Sequence, residues 1–83
     1  MVRKVVIIEP WTRGVVMKLA QWNRLGLEVV GEAADGETGL ELIRKVLPDI
    51  VITDVRMPRI SGIELVQALR AEGFQMPILI ISG

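Results

Sequence analysis

Four short apolar runs alternate with three amphipathic stretches along the 83 residues of this chain. The apolar runs are Lys4 to Ile8, Leu27 to Ala33, Ile50 to Thr53 and Ile78 to Ile81. Apolar residues recur at helical spacing from Trp11 to Arg24, from Glu37 to Val46, and from Ser61 up to Gly73. Strands that alternate with helices in this way are typical of βαβ units. The sequence therefore predicts an α/β fold of three layers around a parallel sheet, with about four strands and three helices.

Short sequence signals mark where the predicted helices begin and end. Gly26 is placed as the stop of the first helix, and Pro48 as the stop of the second. Asp35 can cap the second helix, because its side chain can accept a hydrogen bond from a free amide of the first turn. Ser61 and Glu64 match the Ser-x-x-Glu capping box. These signals support the division into elements independently of the apolar pattern.

Composition excludes several classes of function. Half of the residues are hydrophobic (51%), yet no apolar run approaches the roughly 20 residues of a membrane span. Ten basic and ten acidic residues cancel without forming a basic stripe, so we expect no direct contact of this segment with nucleic acid or membrane. The absence of Cys and His excludes disulfides, zinc sites and catalysis by imidazole or thiolate. The N-terminus does not resemble a signal peptide, which predicts a cytoplasmic location.

Polar residues stand at the ends of the predicted strands, where the sequence first points to chemistry. The residues that follow the four strands are Glu9, Glu32 (near the end of its strand), Asp54 and Ser82. Because the carboxyl ends of parallel strands share one edge of the sheet, Glu9, Asp54 and Ser82 come together if their strands are neighbours. Two carboxylates so placed repel each other unless a cation lies between them, and Mg²⁺ suits oxygen ligands of this kind.

A carboxylate in that setting can act as a nucleophile toward phosphorus and form an aspartyl-phosphate, with Ser82 as a hydroxyl donor. A simpler interpretation remains open at this point. Acids at strand ends often cap the next helix or are solvated in a loop, and Ser82 alone reads as an ordinary turn residue. Arg56 and Arg59 read as solvent-facing charges of a loop. The sequence around Asp54 distinguishes between these two interpretations.

Those residues resemble the receiver domain of two-component response regulators. The similarity lies in the run ITDVRMPRISGIEL, with EVVGEAADG before it and PILIISG after it, and it extends over essentially the whole chain. The pattern Asp-x-x-Met-Pro-x-x-x-Gly from Asp54 to Gly62 is its most specific part. The stretch from Trp22 to Ala33 is similar to receivers whose regulators carry an AraC-type DNA-binding output. The resemblance implies a flavodoxin-like (CheY-like) sheet with the strand order 2-1-3-4.

The resemblance also implies a function and a site. A sensor histidine kinase would transfer a phosphoryl group to Asp54, and the domain would act in phosphorelay signalling and not as an enzyme. Mg²⁺ would be held by Asp54, by Glu9 as the acid after the first strand, and by the backbone carbonyl of Arg56. Ser82 matches the switch hydroxyl of the family, which turns toward the phosphoryl group and lets a partner read the change.

Two departures from the family pattern qualify this expectation. The family usually has two acids in succession after the first strand, whereas this chain reads Ile8-Glu9-Pro10-Trp11, so one metal carboxylate is missing. We therefore expect Mg²⁺ binding and phosphorylation to be weak or absent. Family receivers also continue beyond a fourth strand, which predicts that residues 1–83 are a single receiver-like domain, incomplete at its C-terminus. The uncovered edge of the fourth strand predicts a homo-oligomer or a domain swap.

Two functions are consistent with these sequence features. The first is a receiver that is phosphorylated on Asp54 and switches an output. The second is a phosphorylation-impaired receiver fragment that acts only as a binding or oligomerisation module. A hydrolase has little support, because no pair of base and nucleophile is present in the sequence.

Overall fold

The computed structural model describes residues 2–10 and 23–81 of the chain. The strands are β1 (Arg3–Ile8), β2 (Leu27–Ala33), β3 (Ile50–Asp54) and β4 (Ile78–Ile81), and the helices are α1 (Gly36–Val46) and α2 (Gly62–Ala71). The helix predicted from Trp11 to Arg24 lies outside the described residues except for its last two positions, which are helical. Within the described part of the chain, no helix is long and apolar enough to cross a membrane.

The four strands form one parallel sheet in the order β2-β1-β3-β4. This confirms the predicted flavodoxin-like α/β fold and the position of β2 at an edge. The predicted strands differ from the observed ones by one residue, at Arg3 and at Asp54. Asp54 belongs to β3 because the ladder with β4 continues past it: the Val55 N–H donates to the Ile81 carbonyl at 3.0 Å.

The pairing of β1 with β2 contains a bulge. Val5 lies opposite Val29, but Val6 lies opposite Gly31, which leaves Val30 as an extra residue in β2. An extra residue of this kind disrupts the ladder locally and increases its twist. Because of it, Ala33 at the end of β2 pairs with Ile8 at the end of β1. The tips of the two strands therefore end side by side.

Both described helices pack on the same face of the sheet. Their buried residues form one cluster with residues of β1, β2 and β3, made of Val6, Ile8, Ala33, Ile43, Val51, Leu65 and Leu69. On the opposite face Val5, Ile7 and Ile52 form a second, smaller cluster. Burial on both faces explains why the central residues of β1 (Val5 to Ile8) and of β3 (Ile50 to Ile52) are all apolar, with no polar alternation.

The predicted ends of the helices are confirmed by hydrogen bonds and backbone angles. The Thr38 N–H donates to Asp35 Oδ1 at 2.8 Å, so Asp35 caps α1. The Glu64 N–H donates to Ser61 Oγ at 3.1 Å and the Ser61 N–H donates to Glu64 Oε1 at 2.9 Å, which completes the capping box of α2. Gly26 has a φ of 76°, as a helix-terminating glycine requires.

Candidate functional site

Asp54 is the last residue of β3, at the carboxyl end of the sheet. Its side chain is mostly buried, with 8% of the residue exposed, and the preceding Thr53 is fully buried. β3 delivers Asp54 to this position because Val51 and Ile52 are packed into the apolar clusters on opposite faces of the sheet. A carboxylate at the tip of a buried strand is accessible from one direction only, which favours attack on a group brought to this edge of the sheet.

Glu9 lies beside Asp54 at the same edge. Ile8 pairs with Thr53, so Glu9 and Asp54 each stand one residue beyond the last β1–β3 pair. The Glu9 N–H donates to the Ala33 carbonyl at 2.9 Å, which shows that the strand geometry of β1 continues through Glu9. Because side chains alternate along a strand, Glu9 and Asp54 both continue the face that carries Ile7 and Ile52. The predicted meeting of these two acids is therefore supported by the sheet register.

The carboxylate of Glu9 lacks a partner on one oxygen. Its Oε2 atom is buried and accepts no hydrogen bond from any described residue. A buried carboxylate oxygen without a partner is costly unless an ion or a water satisfies it. Glu9 with Asp54 is thus a donor set that fits a hard cation such as Mg²⁺, which needs only one or two carboxylates when waters and phosphate oxygens complete its shell. The described residues contain no cluster of three or more acids that would hold a metal without such help.

The loop after Asp54 is folded back onto the strand tip. The Arg56 N–H points to Asp54 Oδ1 over a long 3.4 Å. The Thr53 hydroxyl donates to the backbone carbonyl of Asp54 at 3.0 Å and lies 3.6 Å from the sulfur of Met57. These contacts fix the backbone of the loop, including Arg56, whose carbonyl is the third predicted metal ligand. From the part of the chain that the structure describes, the carboxylate of Asp54 receives one weak hydrogen bond.

Gly62 is the last residue of the Asp-x-x-Met-Pro-x-x-x-Gly pattern, and the sequence alone does not explain why a glycine stands there. A Cβ atom at Gly62 would overlap the backbone carbonyl oxygen of Asp54. The Gly62 N–H also donates to the Val55 carbonyl at 2.8 Å. The first residue of α2 therefore packs directly on the strand tip. A sequence signal existed, because a glycine at the start of a well-capped helix needs a reason other than helix propensity.

The two arginines of the loop are exposed, as their sequence context predicted. Arg59 has a left-handed backbone with a φ of 74° and pairs with Glu37 of α1 at 3.0 Å. The pKa of Asp35 lies below its usual value because the Thr38 N–H donates to its carboxylate, and the positive charge of Arg59 adds to this effect. Arg59 thus connects the loop to α1. Glu32 is exposed and level with Ile7, two residues short of Glu9, and Ser82 lies outside the described residues.

Comparisons with known proteins agree with this geometry. The family profile of the response regulator receiver domain matches residues 7–83. The virulence transcription regulator BvgA of Bordetella pertussis is 33% identical over 85 residues, which cover all of this chain and 40% of BvgA. Among solved structures, the signal receiver domain of the response regulator NarL from Mycobacterium tuberculosis has a TM-score of 0.87 and 36% identity, over 98% of this chain and 66% of that one.

A second solved structure gives the same result. The receiver domain of AraT, a response regulator from Geobacillus stearothermophilus, has a TM-score of 0.84 and 31% identity, over all of this chain and 66% of that chain. The chain thus spans 40% of the length of BvgA and 66% of the length of each of these two solved chains. The family profile covers nearly all of the sequence. The chain belongs to the response regulator receiver domains of two-component systems.

Proposed function

We propose that residues 1–83 act as a single receiver-like domain that accepts a phosphoryl group on Asp54 from a sensor histidine kinase. The observation that carries the proposal is the pairing at the sheet edge: a mostly buried Asp54 beside Glu9, whose buried Oε2 has no described partner. The domain signals and is not itself an enzyme. BvgA is named as a transcription regulator, and we propose control of transcription as the output of this chain.

The transfer requires one bond to break and one to form. The phosphorus–nitrogen bond of a phosphohistidine on the kinase breaks and the imidazole nitrogen keeps the electron pair, while a carboxylate oxygen of Asp54 bonds to phosphorus. The hydrogen bond from Thr53 and the contact with Gly62 hold the backbone of Asp54, so its carboxylate enters the reaction already oriented. Bound Mg²⁺ offsets the negative charge of the transferring group in chemistry of this kind.

Glu9, Asp54 and the backbone carbonyl of Arg56 would hold the metal. Counted from the end of β1, Pro10 takes the place of the family's second acid and offers no side-chain oxygen; counted back from the next helix, Pro10 matches the family's proline and two residues are missing after Glu9. One metal carboxylate is missing in both alignments. Fewer carboxylates give a weaker site for a hard cation. We therefore propose that Mg²⁺ is bound weakly and that phosphorylation is slow. Ser82 would supply the switch hydroxyl.

The missing acid also supports a second candidate function. If the metal site is too weak to support transfer, the chain keeps the shape of a receiver without its chemistry. It would then act only as a binding or oligomerisation module. The two candidates differ in whether Asp54 is ever phosphorylated.

Intact-mass spectrometry after incubation with acetyl phosphate tests the proposal. We expect the chain to gain one phosphoryl group when Mg²⁺ is raised to high concentration, and Asp54→Asn to gain none. Asp49→Asn is the matched control, because Asp49 lies just before the first residue of the same strand and its Oδ2 accepts from the Lys4 N–H, a role that an Asn side-chain oxygen can retain. Absence of the added mass at every Mg²⁺ concentration, in a folded protein, would favour the second candidate.

A further inference from the structure

Arg59, in the loop that follows Asp54, has an unusual backbone for its residue type. Its φ is 74°, and across it the Ile60 N–H donates to the Pro58 carbonyl at 2.9 Å. A hydrogen bond between residues two apart, around a φ of about 75°, forms a γ-turn of the rare and strained kind. A residue other than glycine keeps such a conformation only where surrounding contacts hold it, and such residues cluster at functional sites. The contacts that hold this turn therefore bear on the site.

Two contacts hold the turn against the start of α1. Arg59 Nη1 pairs with Glu37 Oε2 at 3.0 Å, and both side chains are more than half exposed. The side chain of Ile60 lies directly on Gly36, where a Cβ atom would overlap it, and it also packs against the larger apolar cluster. An exposed ion pair contributes little to stability by itself. The ion pair and the packing of Ile60 therefore hold the turn together, each at one of two adjacent residues.

The base of the same loop is fixed separately. The Gly62 N–H donates to the Val55 carbonyl at 2.8 Å, which closes the loop at its two ends. Only Arg56, Met57 and Pro58 lie between Val55 and the turn, and the ring of Pro58 fixes one of its two backbone angles. A segment this short has little freedom between two fixed points. The position of the turn therefore decides the position of Arg56.

We propose that Arg59 is a positioning residue for the reaction of Asp54. By pairing with Glu37 it holds the loop in the conformation in which the Arg56 N–H lies 3.4 Å from Asp54 Oδ1. Without this pair the strained turn relaxes, and Arg56 moves away from the carboxylate. The inference rests on the proposed function, in which the carbonyl of Arg56 is also a metal ligand. Groups that orient a metal ligand in this way matter for binding nearly as much as the ligand does.

A charge that only faces solvent is the simpler interpretation of Arg59, and the backbone argues against it. Glycine adopts a positive φ without strain and would suit a turn whose side chain has no role. Arginine carries the strain at this position, and its guanidinium reaches the acid in the first turn of α1. The strain is thus accompanied by a contact that only a long cationic side chain makes.

Amide hydrogen exchange followed by NMR tests the positioning without metal or phosphoryl donor. We expect the Ile60 amide to exchange roughly two- to fivefold faster in Arg59→Gln, the factor that loss of an exposed ion pair allows. The amide resonance of Arg56 should shift in the same variant. Arg59→Lys keeps the charge and should behave as the natural chain does. Glu41→Gln is the control on α1, because Glu41 is exposed one turn beyond Glu37. Equal exchange in Arg59→Gln and Arg59→Lys would overturn the proposal.

The rate of phosphorylation by acetyl phosphate connects the loop to the reaction. At high Mg²⁺ concentration we expect Arg59→Gln to react roughly two- to fivefold more slowly than Arg59→Lys, because the competent loop conformation is less populated. Equal rates in two variants whose loops differ in exchange would overturn the positioning role. If the natural chain gains no phosphoryl group, the proposed function fails, and the exchange rates alone still decide whether Arg59 holds Arg56 beside Asp54.

Discussion

The described residues around Asp54 contact its backbone closely and make only a weak hydrogen bond to its carboxylate. The Thr53 hydroxyl donates to its carbonyl oxygen, and Gly62 packs against that same oxygen. Among the described residues, the carboxylate itself receives only the long contact from the Arg56 N–H. A nucleophile needs this division, because strong hydrogen bonds to the carboxylate would have to be broken before it could attack. The contacts with the backbone therefore orient Asp54 and do not have to break when its carboxylate reacts.

Replacing Gly62 by Ala should damage the site by overlap. The new Cβ would meet a backbone atom, which cannot move aside cheaply, so we expect a loss of about 1–3 kcal/mol in the free energy of unfolding in urea. We also expect slower phosphorylation of Asp54. Gly73→Ala is the control, since its site has open space and only its φ of 92° disfavours a side chain. A Gly62→Ala variant with unchanged phosphorylation would contradict the positioning role.

Replacing Pro10 by Asp should strengthen the metal site. A second carboxylate beside Glu9 and Asp54 adds a ligand and a negative charge, so we expect Mg²⁺ affinity to rise on the order of tenfold, about 1.4 kcal/mol. Calorimetric titration of Mg²⁺ measures the change. Pro10→Asn removes the ring without adding charge and should bind no more tightly than the natural chain. Equal gains for the two variants would show that the backbone, and not the carboxylate, limits binding.

The elements are positioned by contacts between them as much as by their own sequences. Arg44 of α1 donates two hydrogen bonds to the carboxylate of Glu72, which caps the end of α2. Arg59 ties the site loop to Glu37 at the start of α1. The two helices on one face of the sheet are thus connected to each other, and one of them to the loop that follows Asp54.

The pair of Arg44 and Glu72 predicts a stability loss in acid. The hydrogen bonds from Arg44 hold the pKa of Glu72 below its usual value of 4.5. A folded-state pKa below the unfolded value stabilises the fold above pH 4.5, and this stabilisation is lost as the pH falls through the folded pKa. We expect Glu72→Gln to reduce the drop in thermal stability between about pH 6 and about pH 3. Glu28→Gln, on the exposed edge of β2, should leave that drop unchanged.

The capping box of α2 predicts a second effect on stability. Ser61→Ala removes the acceptor of the Glu64 N–H, so we expect a loss of about 1 kcal/mol in the free energy of unfolding. Ser61→Thr keeps the hydroxyl and should lose much less. Urea denaturation followed by circular dichroism measures both. Equal losses for the two variants would indicate that packing at this position matters more than the cap.

Sequence reasoning succeeded where the determinant is local. The cap at Asp35, the box at Ser61 and the apolar strands depend on neighbouring residues and on periodicity, and the structure has all of them. The neighbouring positions of Glu9 and Asp54 in the sheet register followed from the parallel order of strands. The contact of Gly62 with Asp54 could not be derived, because it depends on how closely α2 approaches β3. The left-handed backbone of Arg59 could not be predicted from the sequence either, because glycine is the usual residue at a positive φ.

At the scale of the whole molecule, the sheet separates two apolar clusters of unequal size, and both described helices pack on the larger one. A chain of 83 residues buries only about 60–65% of its unfolded surface, so each buried contact is a large share of its stability. β2, with its bulge and its exposed acids Glu28 and Glu32, lies at one edge of this sheet.

The bulge at Val30 has a consequence for how the chain can change in length. Val30 is the extra residue of β2, and its removal would leave Val29 opposite Val5 and Gly31 opposite Val6, as they are now. A deletion there would cost the packing of one side chain and would keep every later residue on its present face. A deletion at Glu32 would instead turn Ala33 to the wrong face of the sheet. β2 therefore has one internal position where a family of such chains can gain or lose a residue without rebuilding the sheet.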